Sequence, residues 1–321
     1  MKSNSEINLS VIIVNYNTAD ELRTCIQSVT KHTKEISYEI IVVDNNSNDH
    51  SKTMLEDDFP NVTSYFLPYN SGFSFANNYA MERSKSNYIL LLNPDTLLTE
   101  NSFLKMYEFL DNNPAVGAVG PILTDHQGNI RLTFHKFPNI KTHFIESLYI
   151  KPLIKRYSLT KEQNVLLSIE KPFEVDWISG GSFMVRRSIY DDIGGFDERF
   201  HLFAEDVDWC VRIKSIGWKV FYLPQIKIVH LGGISTHRNF FRLVLNRYRS
   251  KLIFVKKHSG KAELLIIRIL VLFGLFLRII SSFFIKYSGT KEKHERIRAY
   301  FASLFLWLGV TNIYSGERTK K

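Results

Sequence analysis

Short runs of aliphatic, mostly β-branched residues, separated by polar stretches of helical length, constrain the fold of this chain more than any other feature. Residues 9–14 and 39–43 form two such runs, and residues 20–32 between them have the composition of a helix. Strands that are apolar on both faces and alternate with helices are typical of a parallel sheet covered on both sides. The sequence therefore predicts an α/β fold that opens with a βαβ unit and has a mostly parallel central sheet flanked by helices.

Polar side chains follow the predicted strands at the point where each strand ends. In open α/β sheets, ligands bind beyond the carboxyl ends of the strands. Asn and Asp are also common in turns, so any one of these positions is equally compatible with a simple turn. Three such strand ends, after residues 9–14, 39–43 and 88–92, together favour a site for a polar ligand, with Asn15, Asn17, Asp44, Asn45, Asn93 and Asp95 as candidates.

The second half of the chain continues the pattern of strands and helices. A helix predicted at 207–216 follows or includes the acidic residues Glu205, Asp206 and Asp208. Carboxylates are favoured at a helix N-terminus by the helix dipole, so capping alone could explain one or two of them. Extended segments are predicted at 173–177, 180–185, 219–223 and 227–230, a helix at 187–193, and a loop or irregular helices within 134–174.

Three carboxylates and one histidine have side chains suited to particular chemistry. Asp44 could accept a hydrogen bond from the N3–H of a pyrimidine base, although an ordinary turn aspartate is an equal explanation. Asp95 could bind Mg²⁺ or Mn²⁺, since these cations prefer carboxylates with substrate oxygens completing the shell. Asp206, beside another acid, is expected to have a raised pKa and is the candidate general base. His230 is either a packed histidine or a further ligand of the same cation.

The net charge is unevenly distributed along the chain. Residues 1–230 contain 23 Lys and Arg against 28 Asp and Glu, whereas residues 231–321 contain 18 against 4. A uniformly basic protein would suggest a nucleic acid partner, but a basic and apolar C-terminal third suggests the anionic face of a membrane. The N-terminal residues lack the apolar core of a signal peptide, and Cys25 and Cys210 form no CxxC pair. We therefore expect a cytoplasmic protein with no nucleic acid partner.

A long apolar stretch lies in the C-terminal region. Residues 264–285 include 17 Leu, Ile, Val and Phe among 22 residues, which is long enough to span a bilayer. Arg268 and Arg278 lie about 80° apart on a helix, so they share a broad face and fit a helix that lies at the membrane interface. The alternative is an apolar helical hairpin packed on the main domain or on a second copy of the chain.

Motifs of several other nucleotide-binding and hydrolytic proteins are absent from the sequence. No GxGxxG follows the first predicted strand, and neither a GxxxxGK[ST] phosphate loop nor a Ser-centred nucleophile elbow occurs. Dinucleotide-dependent oxidoreductases and P-loop NTPases are therefore disfavoured.

Seven segments between residues 9 and 235 resemble, in the family's order, the family 2 glycosyltransferases of GT-A fold, particularly their bacterial rhamnosyltransferase-like branch. They read VIIVNYN (11–17), VVDNNSND (42–49), NSGFSFANN (70–78), LLLNPDT (90–96), WISGGSFMVRR (177–187), GGFDERFHLFAEDVDWCVR (194–212) and HLGGIS (230–235). The resemblance implies a GT-A catalytic domain at 1–235, with a nucleotide-binding half at about 1–125 and an acceptor half at about 126–235. A helical, basic, membrane-associating region at 236–321 would follow.

The resemblance also implies a role for each candidate residue. Asp95 would be the surviving metal carboxylate of the family's DxD motif, with Asn93 at its first position. His230 would be an additional ligand of Mg²⁺ or Mn²⁺, and Asp206 the general base. The donor would be held by Asn15, Asn17, Asp44, Asn45, Gly72, Phe73, Asn77, Asn93 and Asp95, and the acceptor and sugar side would be formed by Trp177, Gly180, Gly181, Ser182 and Glu205.

The implied reaction is a single displacement with inversion, in which Asp206 deprotonates the acceptor hydroxyl as it attacks C1 of the donor sugar. We expect dTDP-rhamnose as the donor, with UDP-sugars left open, and a lipid-linked saccharide of surface polysaccharide synthesis as the acceptor. The enzyme would be attached peripherally to the inner face of the cell membrane, and homo-oligomerisation is left open.

Two alternative functions remain on the sequence alone. One is a noncatalytic sugar-nucleotide or glycan-binding scaffold of the same fold, which the presence of both Asp95 and Asp206 disfavours. The other is a sugar nucleotidyltransferase, which would need a glycine-rich, basic phosphate loop near the N-terminus, and the sequence has none there.

Overall fold

The computed structural model describes residues 7–148, 168, 170–232, 240–285 and 290–310, and these form two compact units. The first unit comprises Met1–Phe137, Leu159–His201 and Glu205–Ser235, and the second comprises Pro138–Ser158, Leu202–Ala204 and Thr236–Lys321. Each unit has a buried apolar core of its own. Residues 138–148, which were predicted to belong to the acceptor half of the first domain, lie in the second unit.

A mixed sheet of ten strands forms the centre of the first unit. Its strand order is β3-β2-β1-β4-β11-β6-β12-β5, with β7 paired to β6 and β9 paired to β12, while β8 and β10 pair separately. The strands are β1 (Leu9–Asn15), β2 (Tyr38–Asp44), β3 (Thr63–Phe66), β4 (Tyr88–Leu92), β5 (Thr96–Leu97), β6 (Val116–Thr124), β7 (Ile130–Arg131), β8 (Phe134–His135), β9 (Phe173–Val175), β10 (Trp177–Ile178), β11 (Ser182–Arg186) and β12 (Lys219–His230).

Most strands of the sheet run in one direction. β1 is parallel to β2 and β4, β2 is parallel to β3, and β6 is parallel to β12. β11 lies between β4 and β6 and is antiparallel to both, so β4 and β6 also point the same way. The carboxyl ends of these six strands therefore share one edge, which confirms the predicted α/β fold with a mostly parallel sheet.

Ten helices lie among the described residues. They are α1 (Ala19–His32), α2 (Ser51–Asp58), α3 (Phe73–Arg83), α4 (Ser102–Asn112), α5 (Ile140–Ser147), α6 (Arg187–Ile193), α7 (Glu205–Ser215), α8 (Phe240–His258), α9 (Lys261–Phe284) and α10 (Thr290–Leu308). In α1, the buried residues Leu22, Cys25, Ile26 and Val29 recur every three or four positions, which places them on one face of the helix. The first backbone N–H of α1 donates to the carboxylate of Asp49 at 3.0 Å, which satisfies one group of the helix terminus.

The two faces of the sheet bury alternate residues of each strand. Val11 and Ile13 of β1 join a cluster that includes the buried face of α1, whereas Ile12 and Val14 join a second cluster. The second cluster also contains Trp209 of α7, which is fully buried. Both faces of β1 are therefore buried, which explains the continuous apolar run at residues 11–14.

β12 is a single strand of twelve residues rather than the two strands predicted at 219–223 and 227–230. Its pairing with β6 shifts between Leu223 and Lys227, around Pro224. Proline has no backbone N–H to donate, and it is therefore confined to edges and irregular positions of a sheet. The irregular segment explains why the sequence pattern divides there.

The second unit consists of helices α5, α8, α9 and α10 among its described residues. Its core contains Leu252 and Val255 of α8, Ile267, Val271 and Leu275 of α9, and Leu306 and Trp307 of α10. α9 is the one described helix that is long and apolar enough to cross a bilayer, with a mean hydropathy of 2.5. Buried core helices of soluble proteins can meet the same criterion of length and composition.

Arg268 and Arg278, the two arginines predicted to share a broad face of this helix, both contact backbone carbonyls. Arg268 donates from Nε to the carbonyl oxygen of Trp307 at 2.8 Å. Arg278 donates to the carbonyl oxygens of Glu146 at 2.6 Å and of Gly274 at 2.8 Å. Both guanidinium groups thus donate to backbone carbonyls within the second unit.

Candidate active site

Asn15 and Asp44 lie side by side where β1 and β2 end. The two residues are paired in the sheet register, and Asn15 Nδ2 donates to Asp44 Oδ2 at 2.7 Å. Asn15 also donates to Ser51 Oγ and accepts from Thr18 Oγ1, while Asp44 Oδ1 accepts from the backbone N–H of Ser47 at 2.8 Å. Asn15 is fully buried and Asp44 is 4% exposed. The geometry makes Asn15 a residue that holds Asp44 in place.

Asn45 and Asn17 fix the loops around this carboxylate. Asn45 Nδ2 donates to the carbonyl oxygen of Gly72 at 3.2 Å, and its Oδ1 accepts from the N–H of Ser71 at 2.8 Å. Asn17 has a left-handed backbone with φ of 55° and accepts from the N–H of Asn48. These contacts hold the loop that begins α3 against the end of β2.

Gly72 and Phe73 begin α3 beside His201. Gly72 has φ of 91°, and a Cβ there would lie 2.4 Å from His201 Nδ1 and 2.8 Å from the His201 carbonyl oxygen. Only glycine fits this backbone and this space without strain. Phe73 N–H donates to His201 O at 2.7 Å, and Asn77 donates to the carbonyl oxygen of Phe73 at 2.9 Å within the helix.

Asp95, His230 and Asn93 converge beyond β4 and β12. His230 Nε2 lies 3.1 Å from Asp95 Oδ1 and 3.3 Å from the amide nitrogen of Asn93. Asp95 is 8% exposed. Burial alone would raise the pKa of Asp95, but the hydrogen bond from His230 and its charge outweigh burial, so this pKa lies below its ordinary value. The carboxylate is therefore ionised at neutral pH.

The Asp95–His230 pair fits a divalent cation as two of its ligands. Neighbouring ligands in an octahedral shell with bonds of about 2.0–2.1 Å lie roughly 3 Å apart, which matches their separation. Among the described residues, no group of three or more His, Cys, Asp or Glu side chains converges in this way. A cation at this position would therefore need oxygen ligands from substrate or water.

Gly180 and Gly181 connect this pair to the acidic helix α7. The N–H of Asn93 donates to the Gly181 carbonyl oxygen at 3.1 Å, and a Cβ on Gly181 would lie 3.6 Å from His230 Cε1. The N–H of Gly180 donates to Asp206 Oδ2 at 3.0 Å. Two adjacent glycines thus join the surroundings of Asp95 to those of Asp206 by short contacts.

Glu205 and Asp206 form the first turn of α7. Asp206 Oδ1 accepts from the N–H of Val207 at 2.8 Å, and burial raises the pKa of Asp206 to about 6. Glu205 is 6% exposed, and its Oε2 has no hydrogen-bond partner among the described residues. Burial, together with the charge of Asp206, raises the pKa of Glu205 well above its ordinary value. Asp208 differs from both, since it is paired with Arg212 at 2.9 Å and is structural.

Trp177 and Ser182 flank the two glycines in sequence. The Trp177 ring lies against the ring of His135, with centroids 4.7 Å apart, and its Nε1 donates to the carbonyl oxygen of Lys136. Ser182 is 2% exposed, and its Oγ has no hydrogen-bond partner among the described residues. The Trp177 ring is thus half-exposed, whereas the Ser182 hydroxyl is buried.

Sequence analysis gave no role to His201 or Arg131, although both lie at the candidate site. His201 is within the quoted motif GGFDERFHLFAEDVDWCVR, which is the one signal that pointed to it. Arg131 donates to the carbonyl oxygen of Leu231, the residue after His230, and no motif marks it. Of the quoted segment HLGGIS (230–235), residues 233–235 lie outside the described part of the chain.

The sheet order, the reversed strand β11 and the polar residues at one sheet edge define a GT-A type nucleotide-diphospho-sugar transferase fold. The family described as "Glycosyl transferase family 2" matches residues 10–194, more than half of the chain. This protein belongs to glycosyltransferase family 2.

Curated relatives in bacteria support the rhamnosyltransferase-like resemblance. The chain is 29% identical over 177 residues to "N-acetylglucosaminyl-diphospho-decaprenol L-rhamnosyltransferase" of Mycobacterium tuberculosis, covering 54% of this chain and 57% of that protein. It is 27% identical over 178 residues to "Rhamnosyltransferase WbbL" of Escherichia coli (strain K12), covering 53% and 64%. The match thus spans less than two thirds of the length of either relative.

Solved structures with low sequence identity share the fold. GalNAc-T7, solved with UDP, GalNAc and Mn²⁺, has a TM-score of 0.59 at 16% identity, covering 95% of this chain and 56% of that chain. The mannosyltransferase PcManGT from Pyrobaculum calidifontis, solved with GDP-Man and Mn²⁺, has a TM-score of 0.57 at 14% identity, covering 96% and 89%. These similarities confirm the GT-A fold.

Proposed function

We propose that this protein is an inverting glycosyltransferase that moves a sugar from a nucleoside diphosphate donor to a lipid-linked saccharide. The observation that carries the proposal is the set of contacts through Gly180 and Gly181. These contacts connect Asp95 and His230, which together suit a divalent cation, with Asp206, a half-buried carboxylate whose pKa is raised. A transferase of this kind needs both groups close to the same sugar carbon.

Asp95 and His230 would hold Mg²⁺ or Mn²⁺, with the amide of Asn93 beside them. When bound, the ion supplies Lewis-acid stabilisation of the departing diphosphate. The two ligands suit this role because their separation fits one coordination shell and leaves the remaining positions to substrate oxygens. The presence of Mn²⁺ in the two solved structures of the same fold supports a divalent cation.

Asp206 would act as the general base. Its carboxylate accepts hydrogen bonds from Gly180 N–H and Val207 N–H, which fix its orientation while a remaining lone pair can face an acceptor hydroxyl. A pKa of about 6 leaves the group mostly ionised at neutral pH and more basic than an ordinary aspartate. The acceptor oxygen would attack C1 from the face opposite the diphosphate, so configuration inverts.

The other predicted residues would shape the pockets around this centre. Asp44, held by Asn15, would accept a hydrogen bond from a pyrimidine base, and the remaining donor residues would fix the loops around the nucleoside. These are Asn17, Asn45, Gly72, Phe73 and Asn77. On the acceptor side, Trp177 would provide a ring for sugar stacking, with Ser182 and Glu205 as polar contacts to the transferred or accepting sugar.

The preferred donor is dTDP-rhamnose, because the relatives in Mycobacterium tuberculosis and Escherichia coli are named as rhamnosyltransferases. The acceptor would be a saccharide on a lipid diphosphate, as the name of the mycobacterial relative describes for that protein. Surface polysaccharide synthesis is the process that combines these two substrates.

A panel of nucleotide sugars tests the proposal directly. Purified protein is incubated with dTDP-rhamnose and with UDP-sugars, with Mn²⁺ or with EDTA, and melting temperature, nucleoside diphosphate release and the anomeric configuration of the product are measured. We expect one donor to raise the melting temperature in a Mn²⁺-dependent way and to yield an inverted product. Release of pyrophosphate, or binding without any turnover on a lipid-linked acceptor, would contradict the proposal.

Attachment to the cytoplasmic face of the membrane would occur through one side of α9. Eight large apolar residues on this helix are between 40% and 83% exposed, and they recur every one to four positions along its length. Because Arg268 and Arg278 are bound within the second unit, they do not interrupt this face. The residues of the α9 apolar face are Leu265, Ile266, Ile269, Phe273, Phe276, Ile280, Phe283 and Phe284.

Charged substitutions on the α9 apolar face test the attachment. The double variant Ile269→Asp with Phe273→Asp should abolish sedimentation with phosphatidylglycerol vesicles, because two carboxylates cannot enter the acyl region. Ile216→Asp is the matched control, since Ile216 is an exposed apolar residue of the first unit. If the wild-type protein does not sediment with vesicles and light scattering shows a dimer, the α9 apolar face would instead be an interface with a second copy of the chain.

A further inference from the structure

Arg131 lies on the same face of the sheet as the groups that surround His230. β7 is antiparallel to β6, and Arg131 is directly opposite Leu123 in the register. Opposite residues in an antiparallel pair place their side chains on the same face. Leu123 Cδ1 lies 2.7 Å from where a Cβ on Gly181 would be, and His230 Cε1 lies 3.6 Å from the same point. The side chain of Arg131 therefore lies on the sheet face where Leu123 and His230 approach Gly181.

The backbone that follows β12 holds the guanidinium of Arg131 near Asp95 and His230. Its Nη2 donates to the carbonyl oxygen of Leu231 at 2.9 Å, and the N–H of Leu231 donates to the carbonyl oxygen of Asp95 at 2.9 Å. One residue thus bridges the arginine and the aspartate. These two hydrogen bonds fix the position of the Arg131 guanidinium relative to the backbone of Asp95.

Gly232 provides the space for this guanidinium. Its φ is 78°, and a Cβ at this position would lie 1.7 Å from Arg131 Nη1 and 2.6 Å from Cζ. Any other residue would both strain the backbone and displace the arginine. The glycine after Leu231 is therefore explained by the close approach of Arg131.

Arg131 also has unused capacity to bind an anion. Within the described part of the chain, its one hydrogen bond is to a neutral carbonyl oxygen, and no carboxylate pairs with it. A guanidinium has five N–H donors in a planar fork that matches phosphate oxygens. Arg131 is half-buried, pairs with no carboxylate among the described residues, and lies near Asp95 and His230. Such an arginine is suited to bind a strongly anionic ligand.

We propose that Arg131 binds the diphosphate group of a substrate at this site, an inference that rests on the proposed function. When the bond from C1 of the sugar to the phosphate oxygen breaks, its electron pair passes to that oxygen, and the acceptor proton passes to Asp206. The guanidinium stabilises the new charge and transfers no proton. Both a nucleoside diphosphate donor and a lipid diphosphate acceptor carry this chemistry, and the tether to Asp95 favours the donor.

Calorimetric titration of full-length protein with dTDP, UDP, thymidine and farnesyl diphosphate, in Mg²⁺ and in EDTA, tests this inference. Of dTDP and UDP, one should bind the wild-type protein more tightly. We expect Arg131→Gln to lower the affinity for that nucleoside diphosphate roughly tenfold to a hundredfold, both in Mg²⁺ and in EDTA. Thymidine binding should be unchanged, which also shows that the variant is folded. Arg131→Lys should be intermediate, because an ammonium retains the charge but not the fork. Lys31→Gln, which removes one exposed positive charge in α1, is the control.

The outcomes distinguish a donor diphosphate from a lipid diphosphate. They also distinguish failure of the proposed role of Arg131 from failure of the proposed function. Loss of farnesyl diphosphate binding with normal dTDP binding would support Arg131 as a ligand of the lipid diphosphate. Wild-type affinity of Arg131→Gln for both diphosphates would overturn the inference while leaving the proposed function intact. Failure of the wild-type protein to bind any of the probes would overturn both.

Discussion

The two ends of the candidate site differ in how completely their polar groups are satisfied. At the end proposed to hold the nucleoside, called the nucleoside end and formed by Asn15, Asp44 and Asn45, each side chain has partners for most of its donors and acceptors. At the acidic end, formed by Asp95, Glu205 and Asp206, Glu205 has an oxygen without a partner, and Asp206 has a raised pKa.

The difference separates a rigid part of the site from a reactive part. A buried network with all its hydrogen bonds formed stabilises one conformation. A buried carboxylate left partly unsatisfied costs stability, and its altered pKa is useful only when a substrate is present. We therefore expect substitutions at the nucleoside end to lower the free energy of unfolding, and those at the acidic end to lower activity.

Asp206→Asn should produce the largest effect. Removing a general base typically lowers turnover by roughly a hundredfold to ten-thousandfold, while the amide preserves the shape of the side chain. Donor affinity, measured by titration, should be close to that of the wild type. The control is Asp57→Asn, which neutralises an exposed carboxylate of α2. Normal turnover of Asp206→Asn with a lipid-linked acceptor would remove Asp206 from the mechanism.

The pH dependence of the reaction should report the same carboxylate. Burial raises the pKa of Asp206 from 3.8 to about 6, and the base works only in its ionised form. Activity should therefore fall as pH is lowered through 6, by about tenfold per unit below it. The measurement is kcat/KM against pH, with stability monitored at each point. If kcat/KM declines only near pH 4, burial does not raise the pKa of Asp206.

Asn15→Ala should destabilise the protein more than Asp95→Asn does. Truncating Asn15 removes one hydrogen bond from each of the buried residues Asp44, Ser51 and Thr18, which should cost about 2–4 kcal/mol in denaturant unfolding. Asp95→Asn can still hydrogen-bond His230 and should cost about 1 kcal/mol or less, while it abolishes any stabilisation by Mn²⁺. Equal destabilisation by both variants would show that the two ends do not differ in their contribution to the free energy of unfolding.

Ser182→Ala should have the smallest effect on the unliganded protein. Its buried hydroxyl has no partner among the described residues, so its removal should leave the free energy of unfolding unchanged or raise it by up to about 1 kcal/mol. If the hydroxyl contacts the sugar, donor affinity should decrease in the same variant. A clear loss of stability would instead show that Ser182 has a structural contact.

The first strands and their polar ends could be predicted from sequence because local composition determines them. The runs at 9–14, 39–43 and 88–92 are continuous, and both faces of each strand are buried, so the pattern reports the sheet directly. The N-terminal position of Glu205 in α7 also follows from a local preference of carboxylates. In these cases the residues that decide the structure are adjacent in the chain.

β6 could not be recognised in the same way, although it is entirely buried. Gly117, Gly120 and Pro121 interrupt its apolar pattern, and their reasons are distant in sequence. A Cβ on Gly117 would lie 2.4 Å from Ile189 Cδ1, and one on Gly120 would lie 2.8 Å from Ile178 Cδ1. Glycine is therefore needed for close packing there, which no local rule reveals.

The contacts of three arginines also could not be predicted, because their partners are distant in sequence. Helical geometry gives the angle between Arg268 and Arg278, but not the carbonyl groups that they contact. Likewise, the contact of Arg131 with Leu231 joins residues 100 positions apart. Long-range hydrogen bonds of this kind become visible only when the fold is known.

The shift of register in β12 limits where this strand can change length. Leu223 and Lys227 pair with the adjacent residues Pro121 and Ile122, so residues 224–226 are extra to the ladder. Successive side chains of a strand alternate between faces, and one residue added after Lys227 would turn His230 away from Asp95. Insertions and deletions should therefore be tolerated at 224–226, where the irregular segment can absorb them, but those between 228 and 230 should break the contact between His230 and Asp95.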